Sequence, residues 1–212
     1  MFRWDDWEFT RPAADGPFCV DGRVWWPWWI DRRHVELVYR LAMLGSRWCA
    51  LEIGARRGSS TSALVQALKD GGLGFLTVAD PARCLELDRV LAAGGDLCEQ
   101  YVGSGVDCLR APVRFVLWDG DHSVGIVREE WAAVSRLAPD LIVAHDVCAG
   151  DVAGCEGPAQ VLPDVLNDGR WACWVDGARR PGEWTERGLL VAVRRGALEA
   201  AVEAEFRAMV EA

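Results

Sequence analysis

Side chains able to bind a metal ion or move a proton fall at the ends of two apolar runs, residues 113–118 and 141–144. Asp119, Asp121 and His122 follow the first run, and His145 and Asp146 close the second. Asp119 and Asp146 offer hard oxygen donors of the kind magnesium takes, usually one or two carboxylates with waters and substrate oxygens. A bound divalent ion lowers the pKa of a coordinated hydroxyl, and imidazole titrates near neutrality. His122 is therefore the candidate general base for chemistry on a hydroxyl group. Two of the chain's three histidines fall in this cluster, which favours chemistry over helix capping as its reason. Asp121, just before Ser123, reads as a solvated helix-start residue rather than a ligand. His34, on an early helix, reads as a surface or packing residue.

For these groups to meet, the two runs must be neighbouring parallel strands joined by a helix. Residues 123–138 supply that helix, with Val124, Val127, Trp131 and Val134 on one face. Parallel strands bring their carboxyl ends to one edge, where open α/β sheets bind ligands. The same alternation recurs upstream: strand-like runs at 48–53 and 75–79, a weaker one near 99–102, and helical stretches at 59–69 and 83–93. Right-handed crossovers between such units give an α/β fold with a doubly wound, mostly parallel sheet. A helical stripe of Val35, Val38, Leu41 and Ala42, stopped by Gly45, precedes it. Beyond residue 150 the rhythm changes. A short helix at 159–166 leads to a C-terminal antiparallel strand pair, 171–175 and 189–194. Leu198, Val202, Phe206 and Met209 mark a closing helix.

The chain's 212 residues, 51% hydrophobic, suit one domain with a substantial core. Its net charge of −9, with scattered basic residues, argues against nucleic acid or an anionic membrane as partner and leaves a small molecule. The opening MFRWDDWEF places acids where a secretory signal needs basic residues, and no apolar run approaches the ~20 residues that span a bilayer. A soluble protein is expected. None of the eight cysteines forms a CxxC pair; Cys49, Cys98, Cys108 and Cys173 sit in or beside apolar segments as small buried side chains do, pointing to a reduced, cytoplasmic protein. Residues 1–31 form a tryptophan-rich lead and 32–212 the domain proper. Pro27 excludes a regular helix among Trp25, Trp26, Trp28 and Trp29, leaving an aromatic loop or cap that more simply serves packing or homo-oligomer contact than substrate closure.

A glycine turn stands at the other candidate site. The stretch LEIGARRGSST carries Glu52, Gly54 and Gly58 from a strand end into a helix start, where glycine permits close backbone approach and helix N–H groups suit an anion or nucleotide. Asp80 ends the next strand in TVADP, about where an acid accepts both hydroxyls of a ribose. The spacing is G-x-x-x-G rather than G-x-G-x-x-G, so an adenosine ligand without a pyrophosphate fits best.

The glycine turn, Asp80-Pro81, Gly103-Ser104, DGDHS and the late His145-Asp146 together resemble the class I S-adenosylmethionine-dependent methyltransferases. Within them, the likeness is to the small branch related to macrocin O-methyltransferase and cephalosporin hydroxylase-type proteins. It runs from about Val35 to Arg195, and DGDHS with the downstream HD is its most specific part. The resemblance implies a Rossmann-like methyltransferase fold in which Glu52, Gly54 and Gly58 surround the methionine part of S-adenosylmethionine, Asp80 holds the ribose and Ser104 lies near the adenine. It also implies metal held by Asp119 and Asp146 with His122 beside it. Some relatives have an acid where this chain has His145, so the third ligand becomes an imidazole, or the site binds metal weakly, or it prefers an ion softer than magnesium. The expected function is a metal-assisted O-methyltransferase acting on a hydroxyl of a small metabolite or sugar. The alternatives are a catalytically inactive S-adenosylmethionine-binding partner or sensor, and a metal-dependent hydrolase.

Overall fold

The computed structural model describes residues 18–20, 23–25, 30, 32–108, 112–148, 156–177, 188–196 and 198–211. Two short strands, Phe18–Val20 (β1) and Arg23–Trp25 (β2), pair antiparallel and precede the helix Arg32–Met43 (α1). The main sheet contains Trp48–Ile53 (β3), Leu73–Asp80 (β4), Cys98–Val102 (β5), Phe115–Trp118 (β6), Leu141–His145 (β7), Trp171–Asp176 (β8) and Leu189–Arg194 (β9). Its order is β5-β4-β3-β6-β7-β9-β8. The first five of these are mutually parallel, and β9 inserts antiparallel between β7 and β8. The expected doubly wound sheet with a C-terminal antiparallel pair is thus present, with the last strand of the chain inside the pair.

The crossovers follow from the sequence periods. Ser59–Lys69 (α2), Leu85–Gly94 (α3) and Val124–Leu137 (α4) each join one parallel strand to the next, while Glu156–Asn167 (α5) and Glu199–Glu211 (α6) flank the antiparallel pair. Central strands are apolar on both faces because both are covered. In β6, Phe115 and Leu117 pack with residues of α1, α2 and α6, whereas Val116 and Trp118 pack with residues of α4 and α5. The strand order reverses between β3 and β6, because the chain runs outward from β3 through β4 to β5 on one side and returns to β6 on the other. Ligands bind open α/β sheets at the carboxyl ends of such strands.

Some expectations are revised by the packing. Cys49, Cys98, Cys108 and Cys173 are free but only half-buried rather than sealed in the core. Trp131 is half-buried too, stacked on Trp118 with ring centroids 6.1 Å apart, and the inward position beside it belongs to Glu130. Among the described residues no helix is long and apolar enough to cross a membrane. Trp25 ends β2, while Trp26, Trp28 and Trp29 of the expected aromatic cap, and most of segment 1–31, lie outside the described residues.

Candidate active site at the strand tips

Pairing of β6 with β7 sets Trp118 opposite Ala144, so the next residues, Asp119 and His145, emerge side by side. Ligand atoms of Asp119, His145 and Asp146 lie within 4.8 Å of one another. His145 Nδ1 stands 3.0 Å from Asp146 Oδ1 and 3.7 Å from Asp119 Oδ1. His122 Nε2 approaches from the other side, 3.1 Å from Asp146 Oδ2 and 3.7 Å from Asp119 Oδ1. The four predicted residues therefore form one cluster. Asp146 takes a left-handed backbone, φ 61°, which costs energy outside glycine and is found where geometry serves a site.

The cluster suits a cation. Two carboxylates converge, and the third donor is a buried imidazole whose ring nitrogens make no hydrogen bond of ordinary geometry among the described residues. Burial alone lowers the His145 pKa, but Asp119 and Asp146 outweigh it and push it up to about 10. The partner effect holds Asp119 down at about 2 although burial opposes this. A metal would be held by Asp119, His145 and Asp146, displacing the proton that the two carboxylates otherwise keep on the imidazole. A pocket of about 320 Å³, counted with its open mouth, adjoins them and is lined by Trp118, His122, Ala144, Val161 and Leu190 among others. The first turn of α5 closes on its rim, where the Gly157 N–H donates to the His122 carbonyl at 2.9 Å. Asp121 is exposed and accepts from the Ser123 N–H at 2.6 Å, as a helix-start residue does.

The glycine turn shares this edge. Gly54 and Gly58 have φ of +80° and +87°. Gly58 is the N-cap of α2 and has no side-chain acceptor to cover the first N–H groups, an arrangement open to an anionic ligand group. Asp80 is buried and organises the turn: Oδ2 accepts the N–H groups of Ala55 at 3.0 Å and Arg56 at 2.8 Å, and Oδ1 accepts that of Ala82 at 2.9 Å. Ser104, exposed after β5, accepts the Val106 N–H at 3.2 Å. Glu52 lies fully buried beneath the turn, with the Ser60 hydroxyl donating to Oε1 at 2.5 Å.

Burial pushes Glu52 up to about 8, with the Ser60 hydroxyl pulling the other way, so the folded chain keeps its proton at neutral pH. An unfolded carboxyl releases that proton near 4.5. This contribution to stability is complete below about pH 4.5 and is lost as pH rises towards 8, by up to about 1.4 kcal/mol per pH unit. Glu130 adds to the same slope up to about pH 7, because burial raises it against the Trp118 indole N–H that donates to it at 2.6 Å. Melting curves at pH 6 and pH 8 should show Glu52→Gln gaining several degrees over the parent at the higher pH, since the amide still accepts from Ser60. Equal pH dependence in both proteins would mean that Glu52 ionises no differently on folding.

Two participants escaped the sequence reading. Of the two readings of His34 the structure bears out packing, with specific partners: it is 1% exposed, its ring meets that of His145 edge-on at 5.4 Å, and its Nε2 lies 3.4 Å from Asp176 Oδ2. The signal was its place with Leu37, Val38 and Leu41 on the buried face of α1. Glu130 likewise shares a helical face with Val127 and Val134.

No protein-family model matches this chain, and no curated protein does. Solved structures do. Rv0187 from MTB, crystallised with cofactor bound, aligns with TM-score 0.64 and 22% identity over 81% of this chain and 84% of its own. An O-methyltransferase from Bacillus cereus in complex with SAH aligns with TM-score 0.64 and 15% identity, covering 78% and 82%. TomG from Streptomyces achromogenes, an O-methyltransferase of tomaymycin synthesis in complex with SAM, gives 0.63 and 21%, covering 79% and 82%. The chain has the Rossmann-like methyltransferase fold. In this methyltransferase fold the glycine turn after β3 and the acidic cluster after β6 and β7 occupy adjoining strand tips, joined by the Asp119 N–H donating to the Ile53 carbonyl at 2.8 Å.

Proposed function

We propose that the protein is an S-adenosylmethionine-dependent O-methyltransferase, metal-assisted, acting on a hydroxyl of a small metabolite or sugar in the cytoplasm. Its branch would be that related to macrocin O-methyltransferase. The observation that carries this reading is the contiguity of three things at one sheet edge: a glycine turn into α2, a carboxylate–imidazole group able to hold a cation and a histidine within 3.1 Å of one of its carboxylates. O-methyltransferases crystallised with SAM or SAH that share the fold support it.

S-adenosylmethionine would supply a methyl group on a cationic sulfur, and a divalent ion, magnesium or a softer one, would make the acceptor hydroxyl more acidic. The chain's own part is positional and electrostatic. Gly54 and Gly58 would let the cofactor's methionine part approach the backbone above the buried Glu52, Asp80 would hold the ribose as well as the turn, and Ser104 would border the adenine. Asp119, His145 and Asp146 fix the cation, and His122 Nε2 takes the hydroxyl proton, with the Asp146 carboxylate beside it to stabilise the imidazolium. The acceptor oxygen would take the methyl group that the sulfonium gives up in leaving as a neutral thioether, its proton passing to His122.

Calorimetry with S-adenosylhomocysteine should give one-site binding. A screen of hydroxylated acceptors should then give methylated product that falls when divalent ions are chelated. Absence of any heat with the adenosine compound would end this reading. Binding without transfer to any acceptor would point to a sensor or partner subunit instead.

A further inference from the structure

The geometry points to a site that selects a divalent transition ion of the manganese-to-zinc series over magnesium, with His145 making the choice and His34 and Asp176 holding its ring. This deepens the metal reading above and rests on it.

Two carboxylates alone distinguish poorly between magnesium and manganese, both of which accept oxygen donors. Imidazole separates them. It is a good ligand for first-row transition ions and a poor one for magnesium, which prefers oxygen and keeps several waters. His145 is 2% exposed and its Nδ1 lies 3.0 Å and 3.7 Å from the two carboxylates, so the imidazole belongs to any ion held between them.

The ring is also held where it stands. Strand register places His145 and Asp176 opposite the same residue, Leu189 of β9, so the two flank it. From α1, His34 bridges them, edge-on to the His145 ring at 5.4 Å and 3.4 Å from Asp176 Oδ2. Arg33 of the same helix forms an ion pair with Asp176 and anchors the bridge from its other end. Outer residues that orient a histidine ligand typically contribute about 10–100-fold to metal affinity. His34 is a positioning residue by this argument, acting through His145.

Calorimetric titration of the full chain with Mn2+, Co2+ and Mg2+, with and without S-adenosylhomocysteine, tests the proposal without any variant. Mn2+ and Co2+ should bind at least about tenfold more tightly than Mg2+. His145→Asn should bring the ratio close to that of simple carboxylates with little change for Mg2+. His34→Phe, which keeps a ring of similar size, should weaken Co2+ about tenfold and shift its visible absorption while sparing Mg2+. Magnesium binding as tightly as manganese, or no ion binding at all, overturns the proposal, as does a ratio that His145→Asn leaves intact. The two readings fail separately. Ion selectivity without adenosine binding counts against the methyltransferase, and adenosine binding with magnesium preferred counts against the selection alone.

Discussion

Replacing His122 with alanine should lower kcat about 10²–10⁴-fold while S-adenosylhomocysteine affinity stays within about twofold. The two effects separate because the imidazole and the glycine turn sit on different loops. His122 follows β6 and stands over the carboxylates, 3.1 Å from Asp146 Oδ2, whereas the turn at Gly54–Gly58 leads from β3 into α2. Truncation takes away an imidazole at 11% side-chain exposure, and the cavity it leaves opens into the adjoining pocket rather than into the core. Folding should survive. The His122 carbonyl, which accepts the Gly157 N–H, belongs to the backbone and persists in the variant. Single-turnover rates and calorimetry on one preparation decide the matter: equal losses in both would make His122 a cofactor-positioning residue, and an unchanged rate would remove it from the chemistry.

The strand tips were legible because their polar residues break long apolar runs. In β6 and β7 every strand position but His145 is apolar, and both faces are covered, so the first acid or imidazole marks where the strand leaves the core. The helix between them could be read from Val127 and Val134. Register was not legible. That His145 and Asp176 both face Leu189 depends on β9 entering between β7 and β8, a choice made by pairing at distant positions rather than by any local period. Polar type also misleads where burial depends on a partner. His34, Glu130 and Asp176 each lie on a buried face by position, but their partners, His145, Trp118 and His34, come from other elements. Asp80 shows the same limit from another side. Its place at the end of β4 fitted a ribose acid, and the three backbone N–H groups it accepts add an architectural task that spacing does not reveal.

The methyltransferase reading joins two loops that are far apart in the chain, so it depends on what keeps β3 and β6 together at their tips. Gly54→Ala should be the most disruptive single methyl in the site, costing about 4 kcal/mol or more and lowering the melting temperature by about 8 °C or more. A Cβ there would stand 2.0 Å from the Asp119 carbonyl oxygen and 2.7 Å from the Gly120 Cα, both backbone atoms that no rotamer change can move. Its φ of +80° adds the ordinary cost of a left-handed conformation. Gly71→Ala provides the comparison, since that residue has φ +85° with nothing within 4 Å of the added carbon. It should lose only about 1–2 kcal/mol, the conformational part. The difference between the two variants measures the steric part, which is relieved only by parting the tips and stretching the Asp119 N–H bond to Ile53. Cation affinity should fall in Gly54→Ala, because Asp119 moves with its carbonyl, and remain at the parent value in Gly71→Ala. Similar stability losses in the two would show that the tips tolerate separation, leaving the joining of cofactor turn and cation site without its structural basis.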